Sequence, residues 1–333
     1  MSLKILKAGI QKTIQDNGRW GFQSQGVPVS GAMDEDAFIN ANVLVGNDWQ
    51  EASIELLLGD LEIKFDADTL IAICGKGSKA FIDDSQVPFE KSVLVKGSSV
   101  LTFKTQMNGM WSYLSVGGGL VLKKVLNSCS TYPTASLGGT TGRPLVKEEI
   151  EINLNKSNLT TRIVESLPLL DGKDFRAASW GIPKNKTNES DVASIRVFEG
   201  HEWEWLSETE QQALLKKSFS IAPDSNRMGY RLIGQRMIRS DNRELISTAV
   251  TKGTIQLTNE GSLIVLMADS QTVGGYPRVA QVVAVDLPKL AQKLVGESVQ
   301  FKMISFQEAE RLFLIREKER QEIMKSIRAK FSL

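Results

Sequence analysis

Between Ile54 and Phe103 the chain alternates short apolar runs with polar breaks. The runs are Ile54–Leu58, Leu61–Phe65, Leu70–Cys74, Ala80–Ile82, Val93–Val95 and Val100–Phe103. Gly, Asp or Pro separates them about every eight to twelve residues, the rhythm of an antiparallel β barrel or sandwich. Trp111–Val116 reads as a further strand, closed by Gly117-Gly118-Gly119, and Leu3–Lys7 as the first, before an Asn17-Gly18 turn. One stretch has a different period. From Asp34 to Val45 the apolar residues Ala37, Phe38, Ala41, Leu44 and Val45 share one face of a helix that ends at Gly46-Asn47.

The second half repeats this mixture. Strands are expected at Ile195–Phe198, Gly253–Leu257, Leu263–Met267, Val279–Val285 and Val299–Ile304. Helices are expected at Glu208–Lys217, with Ser207 as N-cap, and at Leu287–Leu294. Residues 306–331 read as a charged helix with an apolar stripe of Phe306, Ala309, Leu312, Phe313, Ile323 and Ile327, packed on its own domain or on a partner.

The two halves also share residues. Pro28, Ser30 and Met33 recur as Pro223, Ser225 and Met228, 195 positions on. Gly59, Leu61 and Ile63 are echoed by Gly253, Ile255 and Leu257, and Leu70–Ile73 by Leu263–Leu266. Order is kept while the offset drifts, as loop insertions allow. The expectation is a mainly β chain with a few helices, built as two barrel domains related by duplication and sharing a site. The domains fall at residues 1–165 and 193–305, with a polar linker at 166–192 and a C-terminal helix at 306–333.

Composition narrows the function. The 333 residues suffice for two cores, and 40 Lys and Arg nearly balance 39 Asp and Glu, so no global field recruits nucleic acid or anionic lipid. No apolar run reaches membrane-spanning length and the N-terminal residues lack the core of a secretory signal, so the expected compartment is the cytoplasm. Cys74 and Cys129 are then expected to be reduced thiols. His201 is the one histidine, which argues against Ser-His-Asp and Cys-His catalysis and against multi-histidine metal sites; no metal is expected.

Motifs give several candidates with open readings. Gly75-Lys76-Gly77-Ser78 lacks the upstream glycine and following helix of a phosphate loop. Ser30 has Pro28 where a nucleophile elbow needs glycine, so Ser30 and Ser225 are turn formers or substrate hydrogen-bonders. Arg227 and Arg231 either clamp a carboxylate or phosphate or form surface ion pairs. Asp16, Asp34 and Asp269 either act as acids or cap turns. Gln271, Thr272, Gly274, Gly275 and Tyr276 gather an amide, a hydroxyl and a phenol around a glycine pair, a composition suited to a polar ligand with few charges.

Four strings make the chain recognisable: residues 13–19 (TIQDNGR), 26–34 (GVPVSGAMD), 225–232 (SNRMGYRL) and 271–277 (QTVGGYP). Together they resemble the carboxyltransferase-domain family, also called allophanate hydrolase subunit 2 or KipA, over roughly residues 5 to 305. The resemblance implies paired cyclophilin-like β-barrel domains. It implies a subunit of a bacterial ATP-dependent 5-oxoprolinase, which opens 5-oxoproline to glutamate with a KipI-type sister protein and a third subunit. ATP is expected in that complex, and the chain alone is expected to be inactive.

Within that reading Arg227 and Arg231 bind anions, Ser30, Gln271, Thr272, Gly274, Gly275 and Tyr276 contact substrate, and Asp34 and Asp16 are the catalytic carboxylates. A second reading is carboxyl transfer related to urea amidolyase, in which biotin comes only on a separate carrier, because no Ala-Met-Lys-Met hairpin is present. A third is a non-enzymatic regulator that antagonises a kinase inhibitor. One departure stands out: Cys129 and Thr134 occupy positions where arginine is common in the family.

Overall fold

The computed structural model describes residues 1–153, 157–183, 194–239 and 243–331. The chain divides into two compact units, one of residues 1–19, 30–184 and 320–333, the other of residues 20–29 and 185–319.

The strands described in the first unit are β1 (Ser2–Ala8), β2 (Lys12–Gln15), β3 (Ser53–Leu57), β4 (Leu61–Phe65), β5 (Thr69–Gly75), β6 (Ser78–Ile82), β7 (Ser85–Val87), β8 (Ser92–Val95), β9 (Val100–Thr105), β10 (Trp111–Val116), β11 (Glu149–Glu151) and β12 (Phe175–Ala177), of which β2, β7, β11 and β12 lie outside the expected apolar runs. They form two antiparallel sheets of six strands, ordered β11-β1-β4-β9-β6-β7 and β12-β8-β5-β10-β3-β2. Alternation places Leu3, Ile5, Ile63, Phe65 and Phe103 of one sheet in one core with Ile54, Leu56, Ile73, Val95 and Leu114 of the other.

The opposite face of the second sheet is polar and still buried. Thr13, Gln15, Ser53, Glu55, Tyr113 and Ser115 lie there at no more than 2% exposure. Helix α1 (Glu35–Leu44) packs against it: Phe38 meets the Tyr113 ring edge-on at 6.1 Å, and Asn42 Nδ2 donates to Ser53 Oγ at 3.1 Å. A second helix, α2 (Asn158–Glu165), follows its Ser157 N-cap.

The second unit contains β13 (Ser194–Glu199), α3 (Glu208–Lys216), β14 (Ser218–Ile221), β15 (Gly229–Ile233), β16 (Thr248–Ala249), β17 (Thr254–Leu257), β18 (Leu263–Leu266), β19 (Val273–Gly274), β20 (Arg278–Val282), α4 (Leu287–Ala291) and β21 (Ser298–Met303). Seven of these strands close a barrel in the order β13-β20-β17-β18-β15-β14-β21, with β13 and β21 parallel. Ile255, Val265 and Tyr230, in register across β17, β18 and β15, fill its interior. The short ribbon of β16 and β19 stands apart from the barrel.

Three expectations change. The segment 166–192 is not wholly a linker, since Phe175–Ala177 extends the second sheet beside β8; residues 184–192 of it lie outside the described set. The expected helix at Leu287–Leu294 is a single short turn, α4. The last helix, α5 (Phe306–Phe331), has the expected span, but its residues from Arg320 onward belong to the first unit. Its stripe is only partly covered: Ala309 and Ile327 are buried while Phe313 is exposed.

Candidate functional site

In the first unit the segment Ser30–Asp34 leads into α1. Ser30 and Gly31 both adopt left-handed backbone, φ 58° and 82°. A side chain at Gly31 would sit 3.2 Å from the Asp16 carbonyl and from Gly18, so glycine is needed for this close approach. Two buried groups hold the segment. Glu55 Oε2 accepts from the Met33 amide at 2.9 Å and from the Tyr113 hydroxyl at 2.7 Å. That hydroxyl accepts in turn from the Asp34 amide at 2.8 Å. Burial and then Glu55 push the Tyr113 phenol well above its ordinary value, so it keeps the proton it donates. Asp34 itself is the N-cap of α1, with Oδ1 accepting from the Ala37 amide at 3.0 Å. The Ser30 hydroxyl is buried without a hydrogen-bond partner.

Asp16 is a loop clasp. Its carboxylate accepts from Ser128 Oγ at 2.7 Å, Ser130 Oγ at 2.6 Å, the Cys129 amide at 2.6 Å and the Gly18 amide at 2.9 Å. Arg19 braces the same loop through the carbonyls of Val125 and Ser130. Cys129 is buried, its thiol pushed up to about 11 by burial and then by Asp16, so this position presents a neutral group. Thr134 is exposed. Cys74 and Cys129 are both free thiols.

In the second unit Arg227 is engaged by Asp269 through two parallel bonds, Nε–Oδ2 at 2.7 Å and Nη2–Oδ1 at 2.9 Å, with both side chains 6% exposed. Arg231 is exposed and pairs with Asp224 at 3.0 Å. Nearby in sequence, Thr272 is buried, Gln271 and Gly274 are half-buried, and Gly275 and Tyr276 are exposed. Gln271 Nε2 lies 3.5 Å from Gln256 Oε1. Arg278 forks onto Glu202, at 2.9 and 2.8 Å, which draws the Glu202 carboxyl below its usual range against the cost of burial.

Asp16, Ser30 and Asp34 thus belong to one unit, and Arg227, Arg231, Gln271, Thr272, Gly274, Gly275 and Tyr276 to the other. Asp16 touches the Ser30–Gly31 turn, and Gln271 meets Gln256. Sequence reasoning passed over Glu55, Tyr113 and Gln256. Glu55 and Gln256 each sit in a strand with apolar neighbours on both sides, an alternation that ordinarily marks a solvent face, and Tyr113 lies between Ser112 and Leu114.

The residues do not form a phosphate cradle at Gly75-Lys76-Gly77-Ser78. That string is the tight turn between β5 and β6, and side chains at Gly75 or Gly77 would strike the carbonyls of Trp111 or Met110. Its glycines serve strand packing. Among the described residues no group of three or more His, Cys, Asp or Glu is placed to hold a metal ion, and no helix is long and apolar enough to cross a membrane.

A family model described as carboxyltransferase domain, subdomain A and B, matches residues 25–303. The chain is 36% identical over 307 residues to the C subunit of 5-oxoprolinase from Escherichia coli, covering 92% of this chain and 93% of that protein. It is 32% identical over 311 residues to the corresponding 5-oxoprolinase protein of Haemophilus influenzae, covering 93% and 94%. Among solved structures it superposes on K. lactis urea amidolyase with a TM-score of 0.84 at 25% identity, covering 97% of this chain and 20% of that one. This chain therefore spans about a fifth of the urea amidolyase polypeptide.

Proposed function

Since the chain belongs to the carboxyltransferase-domain family, we propose that it is a subunit of an ATP-dependent 5-oxoprolinase that opens 5-oxoproline to glutamate. The observation that carries this reading is co-extension: the chain and both 5-oxoprolinase proteins match over more than nine-tenths of their lengths. A lactam resists hydrolysis, and opening it requires activation of its carbonyl oxygen before water adds. In this reading ATP supplies that activation. Because Gly75–Ser78 is packed as a turn and Arg227 is engaged by Asp269, we assign phosphate binding to a KipI-type sister protein and a third subunit.

This chain then contributes lactam recognition. Neutral donors and acceptors suit an uncharged amide, and the Gln271–Tyr276 loop offers them beside two glycines that admit close approach. Asp34, held at the head of α1, and Asp16, beneath the Ser30–Gly31 turn, are the carboxylates that would orient water. Purified alone, the chain should form no glutamate from 5-oxoproline; with both sister subunits and ATP it should do so. Turnover by the isolated chain, or none by the full set, would overturn the reading.

The likeness to urea amidolyase supports a second reading, carboxyl transfer from a biotin group on a separate carrier. A carboxylated carrier protein mixed with this chain and urea distinguishes the two: loss of carboxylate from the carrier, dependent on this chain, favours the second.

A further inference from the structure

We propose that the two Asn-Gly steps of this chain have opposite fates: Asn108-Gly109 is a site of spontaneous conversion to aspartate and isoaspartate, and Asp16 withholds the same chemistry from Asn17-Gly18. In such a step the backbone nitrogen of the glycine attacks the asparagine side-chain carbonyl. A new N–C bond closes a cyclic imide, and the side-chain nitrogen leaves as ammonia with the proton that the backbone nitrogen gives up. Water then opens the imide at either carbonyl, leaving aspartate or an isoaspartate whose main chain runs through the former side chain. Glycine favours the attack because it has no side chain to obstruct it.

The two steps sit in different settings. The Gly18 amide donates to Asp16 Oδ1 at 2.9 Å, and the same carboxylate is pinned by Ser128 Oγ, Ser130 Oγ and the Cys129 amide. Asp16 is 7% exposed, so water competes little for that bond. A proton shared with a carboxylate is hard to remove, since the amide anion would form beside a negative charge. The bond also fixes the peptide plane that has to turn toward Asn17. Asn108, by contrast, is exposed in the turn between β9 and β10. Gly109 is covered, but its amide donates no hydrogen bond among the described residues.

The consequences differ as well. The turn of Asn108 is joined to the β5–β6 turn by the Gln106 amide on the Gly77 carbonyl at 3.1 Å, next to the exposed Lys76, so a new carboxylate there meets a cation. At position 17 it would arise beside Asp16, which already opposes ionisation of Glu51 behind the larger effect of burial. Isoaspartate there would lengthen the main chain inside the clasp on residues 128–130.

The test incubates the full chain at mildly alkaline pH and reads conversion at each step by peptide mass spectrometry, with urea-unfolded chain giving each intrinsic rate. Folding should slow Asn17 about tenfold or more beyond any slowing of Asn108. Asp16→Ala should abolish that difference without changing the Asn108 rate. Ser128→Ala combined with Ser130→Ala loosens the same loop but leaves the Gly18 bond, and should keep Asn17 protected. Three results would overturn the proposal: no conversion at Asn108 in the folded chain, wild-type Asn17 as fast as Asn108, or Asn17 still protected in Asp16→Ala. Equal acceleration of Asn17 by the serine double variant would also overturn it, by assigning the protection to loop rigidity alone.

Discussion

Arg227 shows how a single residue separates two meanings of one motif. A guanidinium kept for an anionic ligand is accessible, whereas this one is held by Asp269 at 6% exposure. Replacing Arg227 by Ala strands a buried carboxylate and should lower unfolding free energy by about 3–5 kcal/mol in urea titrations, with the double variant Arg227→Met, Asp269→Leu recovering most of it. A loss below about 1 kcal/mol, the scale of exposed pairs, would return Arg227 to the ligand-binding role.

Lys12 makes a second residue-scale prediction. It is 1% exposed and donates to the carbonyls of Ile10 and Leu57 at 2.8 Å, and burial, against the pull of Asp60, lowers its value from 10.5 to about 8. Between those values the folded chain releases a proton that the unfolded chain still holds, so stability attributable to Lys12 rises with pH across that window. Urea midpoints at both ends of the window should show this rise in the wild type relative to Lys12→Met. No difference between the two would place Lys12 at its ordinary value.

At the scale of elements, the polar face of the second sheet was the least legible part of the fold. Strands β3, β4, β5, β9 and β10 are readable because each has an apolar run bounded by turn residues, and α1 because its apolar residues return every three or four. The alternation Ser53-Ile54-Glu55-Leu56 reads as half buried and half wet, yet Glu55 is fully buried. Period alone does not say what covers a face. Here α1 covers it, and Glu55 and Tyr113 spend their polarity on the Met33 and Asp34 amides. Of the site, Ser30 and Asp34 were legible through a Pro-Val-Ser-Gly turn and a helix cap; the groups that hold them were not. Tyr113→Phe should leave the Asp34 amide without its acceptor, costing about 1–3 kcal/mol. Hydrogen exchange at Met33 and Asp34 should accelerate while the β17 amides keep their protection. Uniform acceleration in both places would make Tyr113 a general stability residue rather than the anchor of this segment.

At the scale of the molecule, the repeated signature marks two settings that have diverged. Met33 is fully buried while Met228 is 43% exposed, and Ser30 is left-handed and unpartnered while Ser225 Oγ accepts from the Arg231 amide. The later echoes fall in strands in both halves, though β4 pairs with β1 and β9 and β17 pairs with β18 and β20. Chain order and unit membership also part company at the C-terminus. The residues from Arg320 onward return to the first unit, where Arg320 reaches Asp36 at 2.6 Å and Glu35 at 3.0 Å, at the start of α1. Ile327 is buried there, the Phe331 ring lies 5.5 Å from Trp180, and Arg162 bonds the Phe331 carbonyl. Two acids in the first turn of α1 already favour its N-terminus, and Arg320 offsets their mutual repulsion. Ending the chain at Glu319 removes that cation and the burial of Ile327, the latter worth about 1.5–3 kcal/mol. The α1 amides should then lose protection against exchange while those of β17 and β18 keep theirs. Under the proposed 5-oxoprolinase reading, in which Asp34 at the head of α1 orients water, the same truncation should reduce glutamate formation by the assembled complex. Unchanged protection in α1 would mean that the C-terminal residues do not support the helix that carries Asp34.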